Sequence, residues 1–270
     1  MLSKMRSNIG VTLIELLVAS VIALICTGAA LELYISQQKS WLTQENITDM
    51  QQNGRSGMDE IVYHARQAGY RLPPGLDAII GSNSNPDSVT FIYLKDPICK
   101  CALLNTMSNV TSDLQLPSDS VGCFDADTWA YIYNPVTEAG EYFLISGIEE
   151  ASGVMHHTSM PFSHVYPAAS QVYLIDMATF FVDDVTDSLH PRLMFQRFGQ
   201  PSIYADNIED LQITYTLAHG AVVDSFITAS NVREVNIELV ARTDKINPAR
   251  GDDYLRDTFF TSVYLRNMDF

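Results

Sequence analysis

Gly10-Val11-Thr12-Leu13-Ile14-Glu15-Leu16-Leu17-Val18-Ala19-Ser20 is the stretch on which the rest of the chain depends. Before it stands a short polar leader with Lys4 and Arg6 and no acidic residue. After it the chain stays apolar to about Ile35, interrupted only by Ser20, Thr27, Gly28 and Glu32. Roughly twenty such residues rise about 30 Å as a helix, the thickness of a bilayer's hydrocarbon core. A positive leader stays on the cytoplasmic side, so the remainder emerges outside. The discordant residue is Glu15, because a carboxylate inside a span costs roughly 2.5–3.5 kcal/mol and is a functional hypothesis by default. No cation follows until Lys39. Cleavage after Gly10 creates one, the new ammonium of Val11, which can pair with Glu15 of a neighbouring copy when helices pack side by side.

Gly10 followed by Val11-Thr12-Leu13-Ile14-Glu15 resembles the type IV prepilin leader. A dedicated peptidase cuts that leader after the glycine and methylates the new N-terminus. The resemblance implies cleavage after Gly10, N-methylation of Val11, and a part for Thr12 and Glu15 in assembly. Val11 departs from the phenylalanine usual at the first mature position. Two other readings compete. A secretory signal peptide has small-residue cleavage sites at Thr27-Gly28-Ala29 or Gly28-Ala29-Ala30, but a carboxylate early in its apolar region is unusual for that class. A lipoprotein signal fails at Leu24-Ile25-Cys26, since Ile25 stands where a small residue is needed.

The formal net charge of −16 becomes −18 once Lys4 and Arg6 are removed (−16 − 2). Such acidity argues against a nucleic-acid partner, which requires a basic footprint, and disfavours self-association of the body at low salt. With 47% hydrophobic residues, the chain past the span retains enough Val, Ile, Leu, Phe and Tyr for a core. Cys26 lies in the span and behaves as a small apolar residue. Cys99, Cys101 and Cys123 fall in one region of an exported chain, where disulfides persist. Cys123 is expected to bond to Cys99 or Cys101, leaving one thiol over; a zinc site lacks a fourth ligand nearby.

From Trp41 the apolar spacing continues through Ile47, Met50, Gly54, Met58, Ile61, Ala65 and Ala68, a helical stripe. Asn53-Gly54 usually marks a turn, yet no proline interrupts Val11 to Leu72, so one continuous helix is expected, running to about Gly69. Gly69-Tyr70-Arg71-Leu72-Pro73-Pro74-Gly75 ends it. The expected organisation is a leader at 1–10, a membrane or filament-core segment at 11–35, an amphipathic half at 36–72 and a β-rich extracytoplasmic body at 73–270. A loop rich in Gly, Asn, Ser and Pro runs from Gly75 to about Ser88. Short apolar runs follow at Val89–Leu94, Trp129–Tyr133, Tyr142–Ile148, Val172–Val182 and Leu193–Phe198, with a long Cys-containing loop at 95–128. The last third alternates strictly: Leu211, Ile213, Tyr215 and Leu217, then Val235, Ile237 and Leu239, then Phe259, Thr261, Val263 and Leu265. Alternation describes strands with one buried face, here expected to lie on the amphipathic helix. The fold class is thus α+β, a long N-terminal helix on an antiparallel body.

Gln51-Gln52-Asn53-Gly54-Arg55, Arg66-Gln67-Ala68-Gly69-Tyr70, Asn207-Ile208-Glu209-Asp210-Leu211, Arg233-Glu234-Val235 and Leu265-Arg266-Asn267 resemble PilW-type minor pilins, a group related to the J-type pseudopilins of type II secretion. The resemblance touches both ends and skips the middle. It implies a non-catalytic subunit that starts or caps a type IV pilus, located in the bacterial inner membrane before assembly and on the cell surface afterwards. Implied partners are minor and major pilins through the N-terminal helix, the prepilin peptidase, the inner membrane and, at a tip, an adhesin. A J-type pseudopilin and an anchored adhesin or enzyme unrelated to pili are the alternatives.

No enzyme motif stands out, neither a GxSxG elbow nor a phosphate-cradling glycine loop, and no cofactor is expected. His156-His157 with His164 lacks a metal spacing, since adjacent strand residues point to opposite faces. Asp183-Asp184 with Asp187, and Gly251-Asp252-Asp253, are candidates for calcium without the EF-hand spacing; solvated turns are the simpler reading.

Overall fold

The computed structural model describes residues 11–268 except 74, 97, 159–160, 198, 226–228 and 248–252. One helix, α1 (Leu13–Gln67), covers 55 residues. It starts at a capping box: the Thr12 backbone N–H and Oγ1 each donate to Glu15 Oε2 at 3.0 Å, and the Glu15 N–H donates back to Thr12 Oγ1 at 3.3 Å. This reciprocal pair satisfies amides that a helix start leaves orphaned. The chain resolves into two compact units, residues up to Thr48 and residues from Asp49 onward.

In the first unit every side chain from residue 11 to residue 42 is exposed. Its hydroxyls turn inward on the helix itself: Ser20 Oγ donates to the Leu17 carbonyl and Thr27 Oγ1 to the Ala23 carbonyl, both at 2.8 Å. Polar groups satisfied in this way tolerate an apolar surround. By length and composition this segment qualifies as a membrane span.

In the second unit the strands run in order β1 (Ile79–Ser82), β2 (Ser88–Leu94), β3 (Lys100–Ala102), β4 (Leu114–Gln115), β5 (Trp129–Asn134), β6 (Ala139–Glu149), β7 (Val154–His157), β8 (Gln171–Asp183), β9 (Arg192–Gln196), β10 (Ser202–Asp206), β11 (Ile208–Leu217), β12 (Val222–Val223), β13 (Val232–Arg242) and β14 (Arg256–Tyr264). All pairings described are antiparallel. The 13-residue β8 is the hub of the larger sheet, pairing β3 and β5 along its first half and β2 and β9 along its second. The smaller sheet has the order β12-β11-β13-β14. Asp87 ties the two together: its N–H donates to the Leu211 carbonyl at 2.9 Å and its Oδ2 accepts the Ile213 N–H at 2.8 Å.

From Asp49 onward α1 packs on strands of both sheets, and small residues set the distance. A Cβ at Gly54 would collide with the Phe259 ring, and one at Gly57 would press on Leu193 at 2.9 Å. The apparent turn signal at Asn53-Gly54 therefore sits inside the helix, where a bare Cα admits β14 and the Asn53 amide donates to the Asp206 carbonyl at 3.0 Å. Met50, Met58, Ile61, Ala65 and Ala68 are buried along the same stripe. The helix ends at Gln67, short of the expected Gly69–Leu72, because Gly69 adopts φ +80° and Arg71 φ 51°. The Gly69 N–H then joins the Ile92 carbonyl at 3.0 Å, and Asn267 Nδ2 donates to the Arg66 carbonyl at 3.2 Å, covering a carbonyl that the helix end orphans.

The loops differ from their sequence reading in two places. The 75–88 stretch contains β1, paired with β2. The 95–128 region carries β3, β4 and a one-turn helix at Val121–Cys123, and buries Leu103, Leu114, Leu116 and Val121 against Ile132, Ile145 and Met155.

Candidate functional site

Among the described residues the first part of α1 is an uncovered apolar helix. Val11, Leu13 and Ile14 are 72, 82 and 70% exposed, and such a continuous apolar surface in water marks a membrane or partner interface. The capping box sits at its head. Glu15 Oε2 is committed to Thr12, while Oε1 has no hydrogen bond among the described residues. One carboxylate therefore does two things: it closes the first turn through one oxygen and presents the other outward. Gly10, the expected cleavage position, lies outside the described residues.

The cysteines separate by environment. Cys99 and Cys123 are bonded, with Cα atoms 5.7 Å apart. Cys101 is a free thiol that burial pushes up to about 12, which makes it unreactive in the folded state. Cys26 is free and exposed on the apolar helix.

The histidine and aspartate candidates are dispersed. His156 Nδ1 meets Asp113 Oδ2 at 3.0 Å, and Nε2 meets Glu149 at 3.5 Å. His157 points the other way, against the Phe162 ring at 4.5 Å between centroids, and His164 is exposed. Asp183 Oδ1 accepts the Val185 and Thr186 N–H groups, and Asp187 accepts from Leu189 and His190, so both close turns. Asp253 pairs with Arg256 at 3.1 Å; Gly251 and Asp252 lie outside the described residues. Among the described residues no group of His, Cys, Asp and Glu is arranged to hold a metal.

A polar cluster missed by the sequence reading lies under the outer half of α1. His64 is 3% exposed; its Nδ1 meets Tyr93 Oη at 2.9 Å and its Nε2 meets Glu60 Oε1 at 3.2 Å. Glu60 Oε2 accepts from Tyr204 at 3.1 Å. Tyr93 also hydrogen-bonds Asp176, a fully buried carboxylate that Arg197 clasps through Nε and Nη2. Burial holds the His64 imidazole below its ordinary value, against the opposing pull of Glu60. The position falls beside the apolar stripe, three residues after Ile61, and spacing alone would have found it had the polar side chain not been passed over.

One apolar N-terminal helix with a capped carboxylate at its head, joined to an antiparallel β-rich body, fits a membrane-anchored pilin-like protein. Residues 5–31 match the family described as the prokaryotic N-terminal methylation motif, and this match supports a type IV pilin or pseudopilin. No curated protein and no solved structure matches the chain.

Proposed function

We propose that the chain is a minor pilin of the PilW type, a subunit that starts or caps a type IV pilus and carries out no catalysis. The observation that carries the reading is the pairing of a methylation-motif N-terminus with an uncovered helix whose Glu15 keeps one oxygen open. Leader cleavage after Gly10 frees the Val11 ammonium. In a bundle of subunits that ammonium of one copy meets Glu15 of the next, inside a medium of low dielectric. An unpaired charge there is costly, whereas a hydrogen-bonded pair fixes register and partner choice. The cap orients the carboxylate beforehand, so that pairing requires no rearrangement of the first turn.

The test is Glu15→Ala and Glu15→Gln in the native host, with protein level, leader cleavage, surface pili and type II secretion each measured. Cleavage should survive while recruitment of partner pilins falls in both variants. A defect confined to secretion would assign the chain to the J-type pseudopilins instead. Normal output of both from Glu15→Ala, at normal protein level, would remove the charge-pairing mechanism.

A further inference from the structure

β14 is the edge of the smaller sheet, paired only to β13 among the described residues. The Leu265 N–H donates to the Arg233 carbonyl at 2.9 Å, and Tyr264 stands opposite Glu234. In an antiparallel ladder this phase turns the backbone groups of Thr258, Phe260, Ser262 and Tyr264 toward the open edge. Their side chains are exposed, Phe260 by 67% and Tyr264 by 56%. An open edge of nine residues flanked by exposed aromatics is a template for strand addition.

At the C-terminal end of that edge lies a cleft of about 420 Å³ lined by Arg66, Ser262, Val263, Tyr264 and Arg266. The Asn267 amide, bonded to the Arg66 carbonyl, holds the last turn of α1 against the end of β14 and brings the two arginines to one opening. Neither guanidinium has an ion-pair partner among the described residues, in a chain with 32 acidic and 16 basic residues. Glu238 and Glu234 lie one strand inward, opposite Phe260 and Tyr264, so the exposed face of β14 itself disfavours carboxylates. The positive charge that can receive them comes from Arg66 and Arg266 in the cleft, with Glu234 near its inner side.

We propose that the open edge of β14 receives an extended segment of another filament subunit, its carboxylates in the Arg66–Arg266 cleft and its apolar side chains on Phe260 and Tyr264. A second copy of this chain is the weaker occupant, because bodies of like negative charge repel. The proposal rests on the filament-subunit reading only for the source of the segment.

The test uses the full chain in detergent micelles and a fluorescent peptide, acetyl-Glu-Thr-Glu-Val-Thr-Val-Thr-amide, with a Lys-for-Glu peptide as control. The acidic peptide should bind at least about tenfold more tightly than the basic one. Arg66→Gln and Arg266→Gln should each weaken it about two- to fivefold, in the range of a partly exposed charge pair. Its presence should slow hydrogen exchange at the amides of residues 260, 262 and 264. Equal binding of both peptides, indifference to the double Arg→Gln variant, or protection elsewhere would overturn the proposal. So would concentration-dependent dimerisation abolished by Arg266→Gln, which would make a second copy the occupant. Leader cleavage and the Glu15 variants read the filament assignment separately, so the failure of one leaves the other standing.

Discussion

Glu15 is held by two demands that mutagenesis can separate. Thr12→Val removes the two hydroxyl contacts of the cap, keeping the backbone N–H bond and the charge; Glu15→Gln removes the charge and keeps an oxygen that accepts from Thr12. Loss of a cap costs about 0.5–2 kcal/mol of local helix stability. If pairing with a neighbour's ammonium is what counts, Glu15→Gln and Glu15→Ala should fail alike in partner recruitment while Thr12→Val is mild. Comparable failure of Thr12→Val with a mild Glu15→Gln would assign the residue to helix capping alone. His64 poses a second residue-scale question. Because burial lowers its folded value, the unfolded chain takes up a proton first as pH falls through about 6.5. Stability should therefore drop between about pH 7.5 and about pH 5.5, and His64→Gln, though less stable throughout, should drop less. His156 runs the other way: Asp113 and Glu149 raise it, so its contribution is present in acid and lost as pH rises through the folded value. Thermal melts of His64→Gln and His156→Gln at both pH values should show opposite changes in slope; a His64→Gln slope equal to that of the unmutated chain would contradict the burial argument.

Element by element, what the sequence made legible depended on who decides the conformation. The outer part of the helix and strands β11 and β13 declare themselves because each buries one face and therefore repeats a period; β14 keeps the alternation although only Val263 is buried. The short strands β1, β3, β4, β7, β10 and β12 hold two to five residues each, and their partners decide them. Asn53-Gly54 shows the converse, a local turn signal overridden by packing, since the glycine is needed where Phe259 meets the helix. Gly54→Val should accordingly cost about 1–3 kcal/mol, read as a lower denaturation midpoint in the full chain; an unchanged midpoint would mean that the helix does not bear on β14 there. The cysteine region is equally testable. Cys99–Cys123 closes a separation of 24 residues, worth about 3 kcal/mol on the chain-entropy account. Peptide mapping without reductant should find that bond and a Cys101 that is alkylated only after unfolding. A Cys101–Cys123 bond would refute the arrangement.

At the scale of the whole molecule, an uncovered apolar helix and a body of strongly negative charge want different surroundings. Removal of Lys4 and Arg6 with the leader would take the charge from −16 to −18 (−16 − 2), a body suited to water, while the exposed apolar residues 11–42 call for lipid or other helices. The full chain should stay with the membrane fraction through high salt and leave it only with detergent. The central claim is that prepilin-type processing frees the Val11 ammonium at the head of this surface, which is then handed to a filament. Intact mass of the protein isolated from its native host tests that most directly. The account predicts a chain that begins at N-methylated Val11; one beginning at Leu31 or at a lipidated Cys26, or retaining the leader in assembled material, would contradict it.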